Sequence, residues 1–273
     1  MPRSELDEVE RIQLEVEKAL SDNLDAEALL PLLAKLARAA EPESDAWLYA
    51  HRHLAEIGVE HDPWRAALFA RRVLACRPED DGAWAVLGLS QSLLGHYRYA
   101  ARAYEHALEG SPDNPWYLHN LGHLYDVALD RPADALPLLA RACEGQSGEA
   151  DIAASYAHAL ARCGRVAAAK RVLKPALRRG GTADQMALYR WIEAGAPADW
   201  PPAARDLPGN AAAVETVPEV PPTSSGDLEL SVSSVSGEVS GSTSTGTRKT
   251  AAAAGARKKT KRRRGSDRGP ATD

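Results

Sequence analysis

Two histidines four residues apart, His119 and His123, are the residues whose types and spacing best suit chemistry. They lie in the stretch YLHNLGHLYD, with Asp126 one helical turn later and His158 further along the chain. Residues at i and i+4 share one face of a helix, so both imidazoles would lie on the same side. Three imidazoles from adjacent helices, with one open position, form a catalytic zinc geometry. The sequence therefore allows a metal site built from His119, His123 and His158, with Asp126 as a fourth ligand or a supporting group.

The residue that follows the first histidine argues against hydrolytic zinc chemistry. In the motif HNLGH, Asn120 takes the position where the zinc-protease motif carries its general-base Glu. The sequence also contains no Gly-rich phosphate loop, no G-x-S-x-G nucleophile elbow and no paired-Cys metal motif. We therefore expect a protein that is not an enzyme and that binds no cofactor and no metal.

The composition of the chain changes after Gly195. Five of the six Trp residues precede this position, whereas the remainder is dominated by Pro, Ser, Thr, Gly and Ala. Segments of that composition bury too little apolar surface to offset the entropy cost of folding. We expect an ordered body followed by a disordered acidic Pro/Ser/Thr-rich linker (196–247) and a disordered basic tail (248–273).

Charge is divided unequally between the body and the tail. The segment from Arg248 onward has 10 Lys and Arg against 2 Asp, which gives +8, whereas the remaining residues sum to −13. Dense like charge of this kind binds polyanions readily. The tail could contact nucleic acid, an anionic membrane or the acidic body of the same chain. The cations expected to do so are Arg257, Lys258, Lys259, Lys261, Arg262, Arg263 and Arg264.

Nothing in the sequence directs the chain out of the cytoplasm. The N-terminus is charged throughout, and no run of 18 apolar residues occurs. The 25 Arg against 8 Lys are typical of a GC-rich bacterial genome. We expect a cytoplasmic protein, although in a eukaryote the two basic clusters would serve as a nuclear localisation signal.

A repeat of 34 residues organises the middle of the chain, and it is clearest from Trp84 onward. The residues that define the first copy are Trp84, Leu87, Gly88, Gly95, Ala100, Tyr104, Ala107 and Pro112. A second copy follows 34 residues later, with a one-residue insertion near Asp130, and weaker copies lie on either side. The pattern resembles the tetratricopeptide repeat, W-x2-L-G followed by A-x3-F/Y-x2-A and a closing Pro, with Gln91 at a position usually occupied by Tyr.

The resemblance implies an all-α, tetratricopeptide-type solenoid of helical hairpins, wound as a right-handed superhelix and followed by a disordered C-terminal tail. One hairpin cannot bury its apolar faces alone, so several must stack and the ends must be capped. The predicted units are an N-terminal helical pair (1–43), about four repeats (44–80, 81–114, 115–149 and 150–181) and a capping helix (182–195). Within each hairpin, small residues such as Gly88 and Gly122 allow close approach of the helices. Pro31 and Pro175 are expected to mark kinks or helix boundaries, and Pro137 is expected near a helix start.

In this family the first helices of successive hairpins line a concave groove that usually binds peptides. Leu121, Gly122 and Tyr125 match packing positions, so His119, His123 and Asp126 are expected on the groove face. The predicted groove residues are Tyr49, Arg52, Leu89, Trp116, His119, Asn120, His123, Asp126 and His158.

Two functions fit this architecture. The first is a non-enzymatic adaptor or scaffold that binds a peptide segment of a partner protein in the groove, with the basic tail as a second contact. The alternative is a nucleic-acid-associated protein that is anchored by the tail.

Overall fold

The computed structural model describes residues 7–197, which form eleven α-helices and one π-helical turn with no strand among them. The helices are α1 (Glu8–Ser21), α2 (Ala26–Ala39), α3 (Asp45–Gly58), α4 (Pro63–Cys76), α5 (Asp81–Leu93), α6 (Tyr97–Gly110), α7 (Pro115–His123), α8 (Pro132–Gly145), α9 (Ala150–Arg162), α10 (Val166–Arg178) and α11 (Ala183–Glu193). The π turn, Leu124–Ala128, continues α7. Residues 1–6, most of the predicted linker and the whole basic tail, including Arg257 to Arg264, lie outside the described residues.

Each helix packs against the next one along the chain, and this produces a row of hairpins. The first helices of neighbouring hairpins also touch, since α3 packs on α5, α7 on α9, and α9 on α11. None of the described helices has the length and apolarity needed to cross a membrane.

Side-chain caps define where many of the helices begin. A cap side chain accepts a backbone N–H of the first turn, and so satisfies a donor that has no partner inside the helix. Seven helices of the described part start in this way, at Asp7, Asp25, Ser44, Asp62, Asp80, Asn114 and Thr182. The cap at Thr182 is reciprocal, because the Gln185 side chain also accepts the Thr182 N–H. Gly195, with φ of +91°, follows the end of α11, and a left-handed backbone of this kind favours glycine.

Glycine allows the two helices of a hairpin to approach closely at two positions. A Cβ atom on Gly88 would lie 2.9 Å from the ring of Tyr104, and one on Gly122 would lie 2.7 Å from Leu139 Cγ. Tyr104 and Leu139 are both buried, so neither can move aside into solvent. The expected role of Gly88 and Gly122 in helix contact is therefore observed.

Pro31 and Pro175 are expected to mark kinks or helix boundaries, and neither marks a boundary. Helix α2 continues through Pro31, α10 through Pro175, and α8 contains Pro137 in its second turn. All three prolines lie on exposed faces. Water can therefore satisfy the backbone carbonyl that each ring deprives of its N–H partner, so the helix is not forced to end.

A neutral histidine is built into the core of the α3/α4 hairpin. His51 is buried, its ring lies 3.8 Å from that of Trp47, and its Nδ1 lies 2.8 Å from the Trp47 carbonyl oxygen. Its Nε2 lies 3.0 Å from the guanidinium of Arg72, which can only donate. Nε2 therefore accepts, and Nδ1–H donates to Trp47. Burial lowers the pKa of His51 to about 4, with the Trp47 hydrogen bond opposing this and Arg72 adding to it.

This histidine predicts a pH-dependent stability. Because the folded pKa lies below the unfolded value of about 6.5, the unfolded chain binds more protons between these values. The free energy of unfolding is therefore at its full value above about pH 6.5, and it falls by about 2–3 kcal/mol as the pH is lowered towards 4. Urea unfolding at several pH values would show a flatter profile for His51→Phe than for the wild type. Exposed His61→Gln serves as the control, and an equally steep profile for His51→Phe would contradict this assignment.

Candidate functional site

The first helices of the hairpins carry all of the predicted groove residues. Helix α3 carries Tyr49 and Arg52, α5 carries Leu89, and α9 carries His158. Helix α7 and its π turn carry Trp116, His119, Asn120, His123 and Asp126. His123 is exposed, Asp126 and His158 are buried, and the other six are partly buried. We call the solvent-facing side of α3, α5, α7 and α9 the first-helix surface.

A serine joins the two histidines of α7 to the next hairpin. Ser155 Oγ on α9 lies 3.0 Å from His119 Nε2 and 3.5 Å from His123 Nδ1. The two imidazole rings are 6.1 Å apart, centroid to centroid. A hydroxyl can donate to one imidazole and accept from the other, so it fits between two rings in either tautomer. His119, His123 and Ser155 therefore form one polar cluster across the junction of two hairpins.

The side chain of Asn120 forms a hydrogen bond with a buried residue of the preceding helix. Its Nδ2 donates to the hydroxyl of Tyr104 on α6 at 3.1 Å. Tyr104 is buried and its pKa is raised, chiefly by burial, so its hydroxyl stays protonated. The Asn120 amide satisfies a buried polar group and also reaches the edge of the first-helix surface.

Arg52, on helix α3 at the N-terminal end of the first-helix surface, already forms ion pairs within the fold. Arg52 Nη1 lies 3.1 Å from Asp80 Oδ2, and its Nε lies 3.4 Å from Glu56 Oε1. Nearby, burial raises the pKa of Tyr49, with further contributions from the negative charges of Glu17 and Glu56. A ligand that reaches this end meets a compensated guanidinium flanked by carboxylates.

Because of the π turn, Asp126 lies on a different face of the helix from the one that it would occupy in a regular α-helix. Leu129 N–H donates to the Leu124 carbonyl oxygen at 2.9 Å, five residues back, so Leu124–Ala128 holds one more residue per turn than an α-helix. Asp126 is 1% exposed, and its Oδ2 lies 2.5 Å from His158 Nδ1 on α9. The expectation that both side chains face outward therefore does not hold.

The buried pair is completed by a cation and an aromatic ring. Arg162, one turn after His158 on α9, donates to Asp126 Oδ1 at 3.0 Å, to the Asp126 carbonyl oxygen and to Asp130. The indole of Trp191 on α11 stacks on the His158 ring at 5.3 Å and 23°. We call Asp126, Asp130, His158, Arg162 and Trp191 the interhairpin cluster, because it joins the last two hairpins and the capping helix.

The structure does not bring together the three histidines that the sequence allows as metal ligands. Within residues 7–197, no group of three or more His, Cys, Asp or Glu side chains has an arrangement that could hold a metal ion. His158 directs its Nδ1 at Asp126, whereas His119 and His123 are associated with Ser155. The three histidines thus belong to two separate clusters.

Four residues of these clusters were not among the predicted site residues: Asp130, Ser155, Arg162 and Trp191. Ser155 occupies the position of Asn120 one repeat later, when the inserted residue near Asp130 is counted, so the repeat offset places it in the same row of the groove. Arg162 lies four residues after His158, which is helical spacing, and its charge is opposite to that of Asp126. Trp191 gives no such signal, because it belongs to the capping helix and follows no repeat offset.

Comparison with known proteins identifies the fold through structure alone. No family model matches the sequence, and no curated protein matches it. The structure is similar to that of MamA 41-end from Desulfovibrio magneticus RS-1, with TM-score 0.56 and 16% identity over 65% of this chain and 99% of that chain. It is also similar to YrrB, described as a TPR protein with an unusual peptide-binding site, with TM-score 0.51 and 20% identity over 59% of this chain and 82% of that chain. A third similar structure, titled MamA, has TM-score 0.52 and 16% identity over 60% of this chain and 92% of that chain.

These similarities agree with the succession of hairpins, the close contacts at Gly88 and Gly122, and the absence of strands among residues 7–197. The described part of the chain is an all-α solenoid with the fold of a tetratricopeptide repeat protein.

Proposed function

We propose that this chain is a non-enzymatic scaffold that binds an extended segment of a partner protein on the first-helix surface. The observation that carries the proposal is the His119–Ser155–His123 cluster, which spans two hairpins at the solvent boundary. The first-helix surface that carries this cluster also includes the partly buried Leu89 and Trp116. A few polar groups set among apolar side chains suit recognition of an extended peptide.

The polar character of the cluster matches the backbone of such a ligand. An extended peptide exposes N–H and C=O groups along its length, and neutral imidazoles and a hydroxyl can each pair with either kind of group. Because the hydroxyl of Ser155 already links both rings, the three side chains are oriented before a ligand arrives. Orientation in advance reduces the side-chain entropy lost on binding.

The first-helix surface does not suit capture of a single free carboxylate. Arg52 is paired with Asp80 and Glu56, so its charge is largely compensated within the fold. Peptide backbone and side-chain amides are better matched to this surface than a chain terminus is. The similarity to YrrB, whose description names a peptide-binding site, is compatible with this reading.

The predicted basic tail would supply a second contact. A groove ligand and a tail ligand would then be held near one another, at an effective concentration that the length of the linker sets. In this proposal the protein acts by tethering, without chemical change to either partner.

A peptide-display selection tests the proposal directly. The full chain, immobilised, is offered a phage library of random peptides, and the enriched peptides are measured by calorimetry. Replacing both His119 and His123 by Ala should weaken binding about tenfold, since two hydrogen-bonding groups are lost. Asn120 is left intact because it bonds Tyr104 in the core.

The matched control is His61→Ala, an exposed histidine in the turn after α3. The affinity of the His61→Ala variant for the same peptides should equal that of the wild type. Circular dichroism melting should show that every variant is folded. Equal affinity of the His119/His123 variant and the wild type would refute the assignment of the surface. A selection that enriches no peptide over an uncoated support would refute peptide binding itself.

A further inference from the structure

Helix α10 carries a stripe of positive charge that no described residue neutralises. Arg171, Lys174 and Arg178 are exposed, and spacings of three and four residues place them on one face of the helix. None of the three forms an ion pair with any side chain in residues 7–197. The opposite face is fully engaged, because Ala169 and Leu173 are buried in the core. We call Arg171, Lys174 and Arg178 the α10 stripe.

The stripe is a group of three neighbouring cations without a carboxylate partner among residues 7–197. Several exposed arginines elsewhere in the described part do meet a carboxylate, as Arg77 meets Asp45 at 2.7 Å and Arg141 meets Asp113 at 2.7 Å. Helix α10 contains no Asp or Glu at all. Neighbouring like charges at i, i+3 and i+4 repel and destabilise a helix, so an anion supplied from elsewhere would relieve the repulsion.

The segment that follows the described residues has the complementary charge. It runs from residue 198 to residue 247, and its only basic residue is Arg205. Its acidic residues are Asp199, Asp206, Glu215, Glu219, Asp227, Glu229 and Glu238. We propose that segment 198–247 of the same chain docks on the α10 stripe and covers it.

The path of the chain brings this segment to α10. The described part ends at Pro197, whose carbonyl oxygen accepts a hydrogen bond from Trp191 Nε1 at 3.0 Å. Trp191 lies on α11, which packs against α10. The root-mean-square span of a random coil of about 50 residues is about 40 Å, whereas α10 is about 20 Å long. The segment is therefore long enough for its acidic residues to reach the stripe.

Tethering favours this occupant over a second copy of the protein. A segment of the same chain that starts this close to its binding surface is present at an effective concentration of about 1 mM, so weak ion pairs suffice for substantial occupancy. A separate acidic protein would have to reach a comparable free concentration to compete. The contact is electrostatic, and it should therefore weaken as salt shortens the range of charge interaction.

Zero-length cross-linking of the full chain tests the contact. A water-soluble carbodiimide joins a carboxylate to an amine only where the two groups touch, and mass spectrometry identifies the pairs. Residues 7–197 contain four lysines: Lys170 and Lys174 on α10, and Lys18 and Lys35 on α1 and α2. Cross-links from segment 198–247 should form with Lys170 and Lys174 and be depleted at Lys18 and Lys35, which serve as internal controls.

Charge reversal that spares the lysines makes the test specific. Replacing Arg171 and Arg178 by Glu should lower the Lys174 cross-link yield about tenfold, because two attractive charges become repulsive. The matched control reverses Arg71 and Arg98, which are exposed on α4 and α6. That control should leave the yield unchanged.

Each contrary outcome overturns the proposal. Equal cross-linking of all four lysines would indicate random encounters of the segment. Products that join two chains and increase with protein concentration would assign the stripe to a second copy. An unchanged yield in the Arg171/Arg178 variant would show that the stripe does not hold the segment.

Discussion

Replacing Asp126 by Ala is expected to reduce the free energy of unfolding by about 3–5 kcal/mol. Asp126 is 1% exposed and accepts hydrogen bonds from His158 and Arg162, so its loss removes the buried acceptor of both donors and leaves Arg162 with Asp130 alone. A hydrogen bond to a charged group contributes about 1.5–3 kcal/mol, so the loss of two such bonds at a buried carboxylate accounts for a cost of this size.

Urea unfolding followed by circular dichroism measures this change. Asp134→Ala is the matched control, because Asp134 pairs with Arg131 in the same hairpin at 2.7 Å but is 53% exposed. Exposed ion pairs contribute about 0–1 kcal/mol, so the control should remain close to the wild type. Similar losses in the two variants would show that the interhairpin cluster contributes no more than a surface pair does.

Replacing Gly122 by Val is expected to cost about 3 kcal/mol, the upper end of the range for overpacked cores. Its Cβ would lie 2.7 Å from Leu139 Cγ and 2.9 Å from Leu139 Cδ2, and Leu139 is fully buried. The gain in helix propensity from replacing glycine is smaller than this clash. Helices α7 and α8 must therefore separate, or Leu139 must leave its rotamer.

The measurement is again urea unfolding, with Gly148→Val as the control. A Cβ on Gly148 would meet nothing within 4 Å, so the substitution should change the stability by less than about 0.5 kcal/mol. Adding Leu139→Ala to Gly122→Val should cost less than the same substitution in the wild type, because it relieves the overlap. Additive losses in the double variant would contradict the close contact as the cause.

The repeat made most of the fold predictable. Small residues at Gly88, Gly122, Ala100 and Ala135 recur at the repeat period, and the structure places each of them at a helix contact or in the core. Gln91, which departs from the repeat pattern, is buried and its Oε1 lies 2.8 Å from His96 Nδ1. Gln91 thus takes a position that usually holds Tyr, because His96 provides a hydrogen-bond partner for its amide. A pattern of large and small residues does not predict such a partner.

The candidate site was less predictable because one residue is inserted. The sequence places the insertion near Asp130, in the turn, whereas the helix absorbs the extra residue earlier as the π turn Leu124–Ala128. A regular helical wheel carried past His123 therefore assigns Asp126 to the wrong face. Asp130 itself occupies the left-handed turn position, with φ of +54°, where the corresponding turns have Gly95 and Gly164.

The interhairpin cluster also bears on how the solenoid unfolds. In repeat proteins each unit contacts only its neighbours, so the interfaces determine how far opening propagates along the chain. Terminal hairpins of such an array normally fray first. Here Asp126 and Arg162 join α7 to α9, and the His158 ring continues the contact to Trp191 on α11. The last two hairpins and the capping helix should therefore open as one cooperative foldon, with amide exchange protection that stays even from α7 through α11 instead of declining towards α11.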